Sequence, residues 1–277
     1  MSSFVLKVNC PDQAGLIYEL SKVIFEFGLN IEKNSEFVNS EYKWFFFRAV
    51  LSGDVDESSL EKRLYEVLPD GGEVKLIRRR KKDIVILVTK ESHCLGDLLI
   101  RYFSKELNAN ILSIVSNHND LGLLANKFDI PYHFVSSEGL SREEHESRVM
   151  EVIDDYSPDL LILAKYMRIL TPHFVEHYKD RIINIHHSFL PAFIGANPYK
   201  QAYDRGVKII GATAHFVNND LDEGPIIAQD VVSVNHDFSW KDMKKAGQNI
   251  EKIVLSRAVE LALDDKIFVF KNKTVIF

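Results

Sequence analysis

The chain has 277 residues, 46% of them apolar, enough to bury a sizeable core and, at that length, to form about two domains. Its formal net charge of −6 argues against nucleic acid or an anionic membrane surface as the main partner, and no apolar run approaches the ~18 residues needed to cross a bilayer. Cys10 and Cys94 are far apart in sequence and the N-terminus has no signal-peptide pattern, so the chain reads as reduced and cytoplasmic, with both thiols buried and neutral.

In chain order, residues 4–8 alternate as a strand. Residues 16–27 come next as a helix, with Leu16, Leu20, Val23, Ile24 and Phe27 at helical spacing. Residues 30–38 and 43–51 read as two strands, 57–68 as a second helix and 73–77 as a closing strand. The order is strand, helix, strand, strand, helix, strand. The run Arg78-Arg79-Arg80-Lys81-Lys82 then reads as a solvated linker, which sets domains at residues 1–80 and 83–277. Residues 1–82 contain 13 basic and 13 acidic side chains, so the surplus of negative charge lies wholly in residues 83–277.

The second segment alternates strands and helices. Residues 83–88 form a continuous apolar run, as expected of a parallel strand covered on both faces, and residues 95–107 read as the helix after it. Strands at 110–116, 130–135, 159–164 and 181–185, separated by helical stretches, predict a parallel sheet of the doubly wound kind. Residues 240–263 form a long amphipathic helix through Met243, Ala246, Ile250, Val254, Ala258 and Leu261, and residues 267–270 and 274–277 a terminal strand pair.

Within Ile182-Ile183-Asn184-Ile185-His186, Asn184 and His186 fall on one face of an extended segment, because strand side chains repeat every second residue. Asp222 lies further on, in the run Leu221-Asp222-Glu223-Gly224-Pro225. An amide, an imidazole and a carboxylate are the groups needed to stabilise an oxyanion, move a proton and hold the proton carrier, so the trio points to carbonyl chemistry, with Asp222 favouring the cationic ring. His187 is expected on the opposite face as a packing residue and His215 as a satisfied core histidine. A metal site of His186, His187 and Asp222 is disfavoured because adjacent strand side chains diverge; no metal is expected.

The strings Lys165-Tyr166-Met167-Arg168-Ile169-Leu170-Thr171-Pro172, Asn184-Ile185-His186-His187-Ser188-Phe189-Leu190-Pro191 (read on to Tyr199), Gly211-Ala212-Thr213-Ala214-His215-Phe216-Val217 and Leu221-Asp222-Glu223-Gly224-Pro225 together resemble the folate-dependent formyltransferase family over residues 83–277. The resemblance implies an α/β fold with a Rossmann-like parallel sheet and 10-formyltetrahydrofolate as substrate rather than cofactor. It also implies Asn184, His186 and Asp222 as catalytic residues, and Met167, Arg168, Ile169, Leu170, Val217 and Asn218 as the folate-binding residues. The first segment, βαββαβ, resembles the ferredoxin-like ACT domain in that order and in its turns at 12–16 and 28–31. ACT resemblance implies homo-oligomers and an amino-acid effector such as glycine or methionine at Asp12, Gly15 and Leu16, near Asn30 of a paired subunit. A glycine at a strand-to-helix turn lets a ligand approach the backbone donors of the helix start.

Members of the formyltransferase family that formylate a ribonucleotide amine have a glycine-rich phosphate loop after the first strand. Here Thr89-Lys90-Glu91-Ser92-His93-Cys94-Leu95-Gly96 lacks that run of glycines, and Glu91 would repel a phosphate. Water is then the expected acceptor, giving formate for purine synthesis and balancing the folate pools; formyl transfer to an amine is the alternative.

Overall fold

The computed structural model describes residues 2–192 and 198–277. Internal contacts divide the chain into two compact units, Met1–Arg80 with Phe277, and Lys81–Ile276.

In the smaller unit, β1 (Ser3–Pro11), α1 (Leu16–Glu26), β2 (Asn30–Asn39), β3 (Trp44–Ser52), α2 (Glu57–Val67) and β4 (Glu73–Arg78) build one sheet of order β2-β3-β1-β4 with antiparallel pairing. Alternation along β1 turns Phe4, Leu6, Val8 and Cys10 into a core shared with Leu20 and Ile24 of α1 and Leu60 and Leu64 of α2. The Asp56 carboxylate accepts from Ser59 N at 3.1 Å and so caps α2, whereas α1 starts at Gly15, whose φ of 93° is open to glycine at little cost. The cationic run is less of a linker than its charge suggests. Arg78 is the last residue of β4, paired with Glu57 at 2.7 Å, and Lys82 opens the next strand, paired with Asp265 at 2.5 Å.

The larger unit contains β5 (Lys82–Val88), α3 (His93–Phe103), β6 (Ala109–Ser116), α4 (Gly122–Asn126), β7 (Tyr132–Phe134), α5 (Arg142–Asp154), β8 (Leu160–Leu163), α6 (Pro172–His177), β9 (Ile182–His186), α7 (Pro198–Arg205), β10 (Ile209–Phe216), β11 (Ile226–Ser233), α8 (Trp240–Leu263), β12 (Ile267–Phe270) and β13 (Lys273–Ile276). Its main sheet runs β11-β10-β9-β8-β5-β6-β7. β5 lies in the middle and is apolar throughout because both faces are covered: Ile84, Ile86 and Val88 enter one core with Leu95 and Val254, while Val85 and Leu87 enter another with Val149 and Phe174. Fully burying one such branched side chain contributes about 1.5–3 kcal/mol.

Strands β7, β6, β5, β8 and β9, the five read in the sequence as a parallel sheet, pair in parallel, and β10 and β11 extend that sheet antiparallel to their neighbours. The segment joining β10 to β11 is too short for a helical crossover, and a short connection permits only antiparallel return. From β5 the chain crosses to β6 on one side and later to β8 on the other. A crevice forms at the carboxyl ends of strands at such a switch point. No helix among the described residues is long and apolar enough to cross a membrane.

Candidate active site

At that switch point the larger unit has a cavity of about 870 Å³. Its walls come from the segments after β5 (Thr89 to Glu91), β8 (Lys165 to Leu170) and β10 (Val217 to Asp222), and from the end of β9. Asn184, His186 and Asp222 all line it, as do Met167, Arg168, Ile169, Leu170, Val217 and Asn218. Met167 and Ile169 are 59% and 50% exposed, so this rim offers water a large apolar surface, the kind that marks a ligand site. Residues 167–170 form a loop rather than a helix start. Met167 N donates to Thr89 Oγ1 at 2.8 Å, and Thr171, which caps α6, is held by the buried Glu146 through its backbone N–H at 3.0 Å.

Two members of the trio, His186 and Asp222, are in direct contact, and Asn184 is hydrogen-bonded to His215 beside them. His186 Nδ1 lies 3.2 Å from Asp222 Oδ1. Burial alone would raise the Asp222 carboxyl, but the hydrogen bond from His186 and the nearby histidines bring it below the usual carboxylate value, so Asp222 is an anion at neutral pH. His186 Nε2 is buried and has no partner among the described residues. Asp222 adopts a left-handed φ of 59°, uncommon for a residue other than glycine, and Gly224 lets its loop lie against β10, because a Cβ there would run into the Phe216 carbonyl.

His215 does more than fill the core. It lies opposite Asn184 in the β9–β10 register, next to a shift in the β10–β11 register between Ala214 and His215. Its Nδ1 is 2.8 Å from the Phe216 carbonyl, which can only accept, so Nδ1 bears the proton and Nε2 accepts from Asn184 Nδ2 at 3.2 Å. Burial lowers its pKa, outweighing the Phe216 carbonyl and Asp222, which keeps the ring neutral and the Asn184 amide oriented. The pairing of a histidine with Asn184 across two strands depends on their register and has no local signal in the sequence.

His187 also differs from expectation. β9 ends at His186, so strand alternation no longer governs the next residue, and the His187 ring stacks on His186 at 5.1 Å and lines the cavity. Burial and the charges of Lys165 and His186 push it down to about 4, so it is neutral. Residues 193–197 of the string that continues to Tyr199 lie outside the described residues.

A second charged centre, unread in the sequence, surrounds the fully buried Glu251 of α8. It contacts His93 Nε2 at 2.7 Å and Lys165 Nζ at 3.4 Å, and accepts a hydrogen bond from the Tyr199 hydroxyl. Burial alone would raise this carboxyl, but its three partners lower it to about 2. The available signal was a carboxylate standing between Gly247 and Val254 on the buried stripe of α8. Among the described residues, His93, Cys94 and Glu251 are the donor set with metal-like spacing, but the Lys165 ammonium already neutralises Glu251 and burial holds the Cys94 thiol well above its ordinary pKa, so the site suits an ion pair better than a cation.

In the smaller unit, Asp12, Gly15 and Leu16 sit together in the turn before α1, where a side chain added at Gly15 would meet open space. Asn30 does not join them within one unit: it is level with Ser52 and Ser3, whereas Asp12 comes directly after the Pro11–Trp44 pair at the opposite end of the sheet.

Residues 82–259 match the formyl transferase family, and residues 1–69 match the N-terminal region of the ACT domain-containing protein ACR10. The chain is 53% identical to a formyltetrahydrofolate deformylase of Haemophilus influenzae over 272 residues, 98% of each chain. The crystal structure of a formyltetrahydrofolate deformylase from Pseudomonas syringae superposes with a TM-score of 0.94 at 38% identity, covering 100% of this chain and 95% of that one. A glycinamide ribonucleotide transformylase from Symbiobacterium toebii matches with a TM-score of 0.69 at 27% identity over 73% of this chain.

A carboxylate with a depressed pKa stabilises the fold above its unfolded value and loses that contribution as pH falls toward the folded one. For Glu251 that window runs from its ordinary 4.5 down to about 2. The advantage of the wild type over Glu251→Gln in denaturant unfolding is therefore expected at pH 6 and should shrink steadily below pH 4.5. A gap that stayed constant down to pH 2.5 would mean that Glu251 is not held as a paired anion.

Proposed function

The chain belongs to the formyltetrahydrofolate deformylases, and on that basis we propose that it hydrolyses 10-formyltetrahydrofolate to formate and tetrahydrofolate in the cytoplasm, with Asn184, His186 and Asp222 as the reacting groups. The observation that carries the assignment of roles is the His186–Asp222 contact at 3.2 Å in the wall of a cavity with an apolar rim. Folate rests on that rim, against Met167 to Leu170 and Val217 to Asn218. Its formyl oxygen accepts from Asn184 and from the His186 ring, which stabilise the negative charge that builds there. Water bonds to the formyl carbon as one of its protons passes to Asp222. Collapse of the tetrahedral intermediate breaks the bond to N10, N10 takes that proton, and the formic acid product ionises. The loop after β5 has no run of glycines, and Glu91 stands in the cavity wall, which supports water over a phosphorylated amine as acceptor.

The ACT-like unit is proposed as the regulatory part, binding a small amino acid such as glycine or methionine. Side-by-side pairing of two copies would bring Asn30 of one toward the 12–16 turn of the other, which accounts for their separation within a single unit. The formate supplies purine synthesis, and control by an amino acid limits the drain on the formyl donor.

Incubation with 10-formyltetrahydrofolate and no amine should release formate and tetrahydrofolate in equal amounts. Asp222→Asn should keep the fold and folate binding and lose most turnover; Asn184→Ala and His186→Ala should each cost about 10²-fold or more in kcat with far smaller changes in folate affinity. A loss confined to affinity would make these groups binding residues only. His215→Phe keeps the ring and removes the acceptor for Asn184, so kcat should fall about 10-fold to 10²-fold while KM changes little; normal kcat would remove His215 from the positioning of Asn184. Gly15→Phe should abolish the response of the rate to glycine or methionine, and a response surviving in a folded variant would move the effector elsewhere.

A further inference from the structure

The loop of residues 167–170 turns two large apolar side chains, Met167 and Ile169, toward water at the rim of the cavity. A free loop of that composition would fold those side chains inward, because apolar surface is driven out of water, and the rim would close on itself. Two polar side chains from outside the loop oppose that collapse, one at each end.

At the start of the loop, the Thr89 hydroxyl accepts from Met167 N at 2.8 Å. Thr89 is buried and directly follows β5, the central strand, and its carbonyl accepts from Ser116 Oγ, at the end of β6, at 3.4 Å. Ser116 Oγ accepts in turn from His118 N at 3.1 Å. The ends of β5 and β6 and the loop after β8 are thereby tied together at the switch point. At the far end of the loop, the two Glu146 carboxyl oxygens accept from Thr171 N at 3.0 and 3.1 Å, and one of them also accepts from the Thr171 hydroxyl. That hydroxyl accepts from Phe174 N at 3.3 Å, so Thr171 fixes both the end of the loop and the start of α6. Between the anchors, Arg168 N donates to Tyr166 O at 2.9 Å, and Tyr166 is itself held in the core. Thr89 is among the described residues that line the cavity; Glu146, 4% exposed on α5, is not.

Resting on the reading of residues 167–170 as the folate rim, we propose that Thr89 and Glu146 are positioning residues for the substrate: they hold the loop in the conformation that folate binds before folate arrives. A preformed loop spares the ligand the conformational freedom that ordering it would cost. The loop tip is exposed, so loss of an anchor frees the rim and leaves the core packing in place. Neither residue takes part in the bond changes of hydrolysis.

Thr89→Val, Thr89→Ser, Glu146→Gln and the double variant Thr89→Val/Glu146→Gln are to be compared with the wild type in formate release and in calorimetric binding of tetrahydrofolate. Tetrahydrofolate has no formyl group, so it reports on the rim alone. Valine keeps most of the threonine shape and removes the acceptor, serine keeps the acceptor, and glutamine leaves one acceptor oxygen where Thr171 uses two. Thr89→Val and Glu146→Gln should each raise KM and the tetrahydrofolate Kd together, by about tenfold or more, while kcat falls far less. Thr89→Ser should restore both to near the wild-type values. In the double variant the two losses should not add, because a loop freed at one end has little left to lose at the other. An unchanged Kd in Thr89→Val, a serine variant as weak as the valine one, or fully additive losses would overturn the proposal; the two Thr89 variants decide it should Glu146→Gln fail to fold. Absence of formate from the wild type would overturn the hydrolytic reading instead, and is seen before any variant is compared.

Discussion

The contact between His186 Nδ1 and Asp222 Oδ1, at 3.2 Å, joins the end of β9 to the loop after β10. Much of the larger unit is arranged around it. The imidazole is delivered by a strand whose flanking residues are buried, so the ring cannot drift. The carboxylate is delivered by a loop that reaches it only with a left-handed backbone at Asp222 and a glycine at 224 packed on Phe216. Strain of that kind costs on the order of 1–3 kcal/mol and persists where the surroundings fix it, here through the Phe216 N to Pro225 O bond of 2.9 Å and the Asn218 turn onto Asp220 N.

Around that contact, two histidines hold opposite duties because of what they touch. His186 keeps one nitrogen on an anion and the other without a partner among the described residues, whereas His215 spends one nitrogen on a carbonyl and the other on Asn184. Geometry therefore separates a ring held by the Asp222 carboxylate from a ring held between a carbonyl and the Asn184 amide, without any difference in residue type. The same economy appears at Glu251, a carboxylate kept ionised in the core because a lysine, a histidine and a tyrosine converge on it.

Periodicity made part of this legible in the sequence. Strand alternation put Asn184 and His186 on one face, and the unbroken apolar run of β5 announced a strand covered on both sides; both readings use only local spacing. The unread parts depend on register and direction. His187 left the alternation because β9 stops at His186, and the antiparallel return of β11 onto β10 depends on the length of a connection rather than on its residues. Glu251 was hidden in a helix whose other buried positions are mostly apolar, since its partners come from the loop after β8, from α3 and from α7, remote in sequence.

If water deprotonated at Asp222 attacks the formyl carbon, one oxygen of the formate must come from solvent. Turnover in water enriched in oxygen-18 measures this most directly. Formate containing solvent oxygen is expected at every turnover, with release of one tetrahydrofolate each time, and the yield of that labelled product should collapse in Asp222→Asn. Formate without solvent oxygen, or labelled formate produced at the wild-type rate by Asp222→Asn, would contradict the proposed attack.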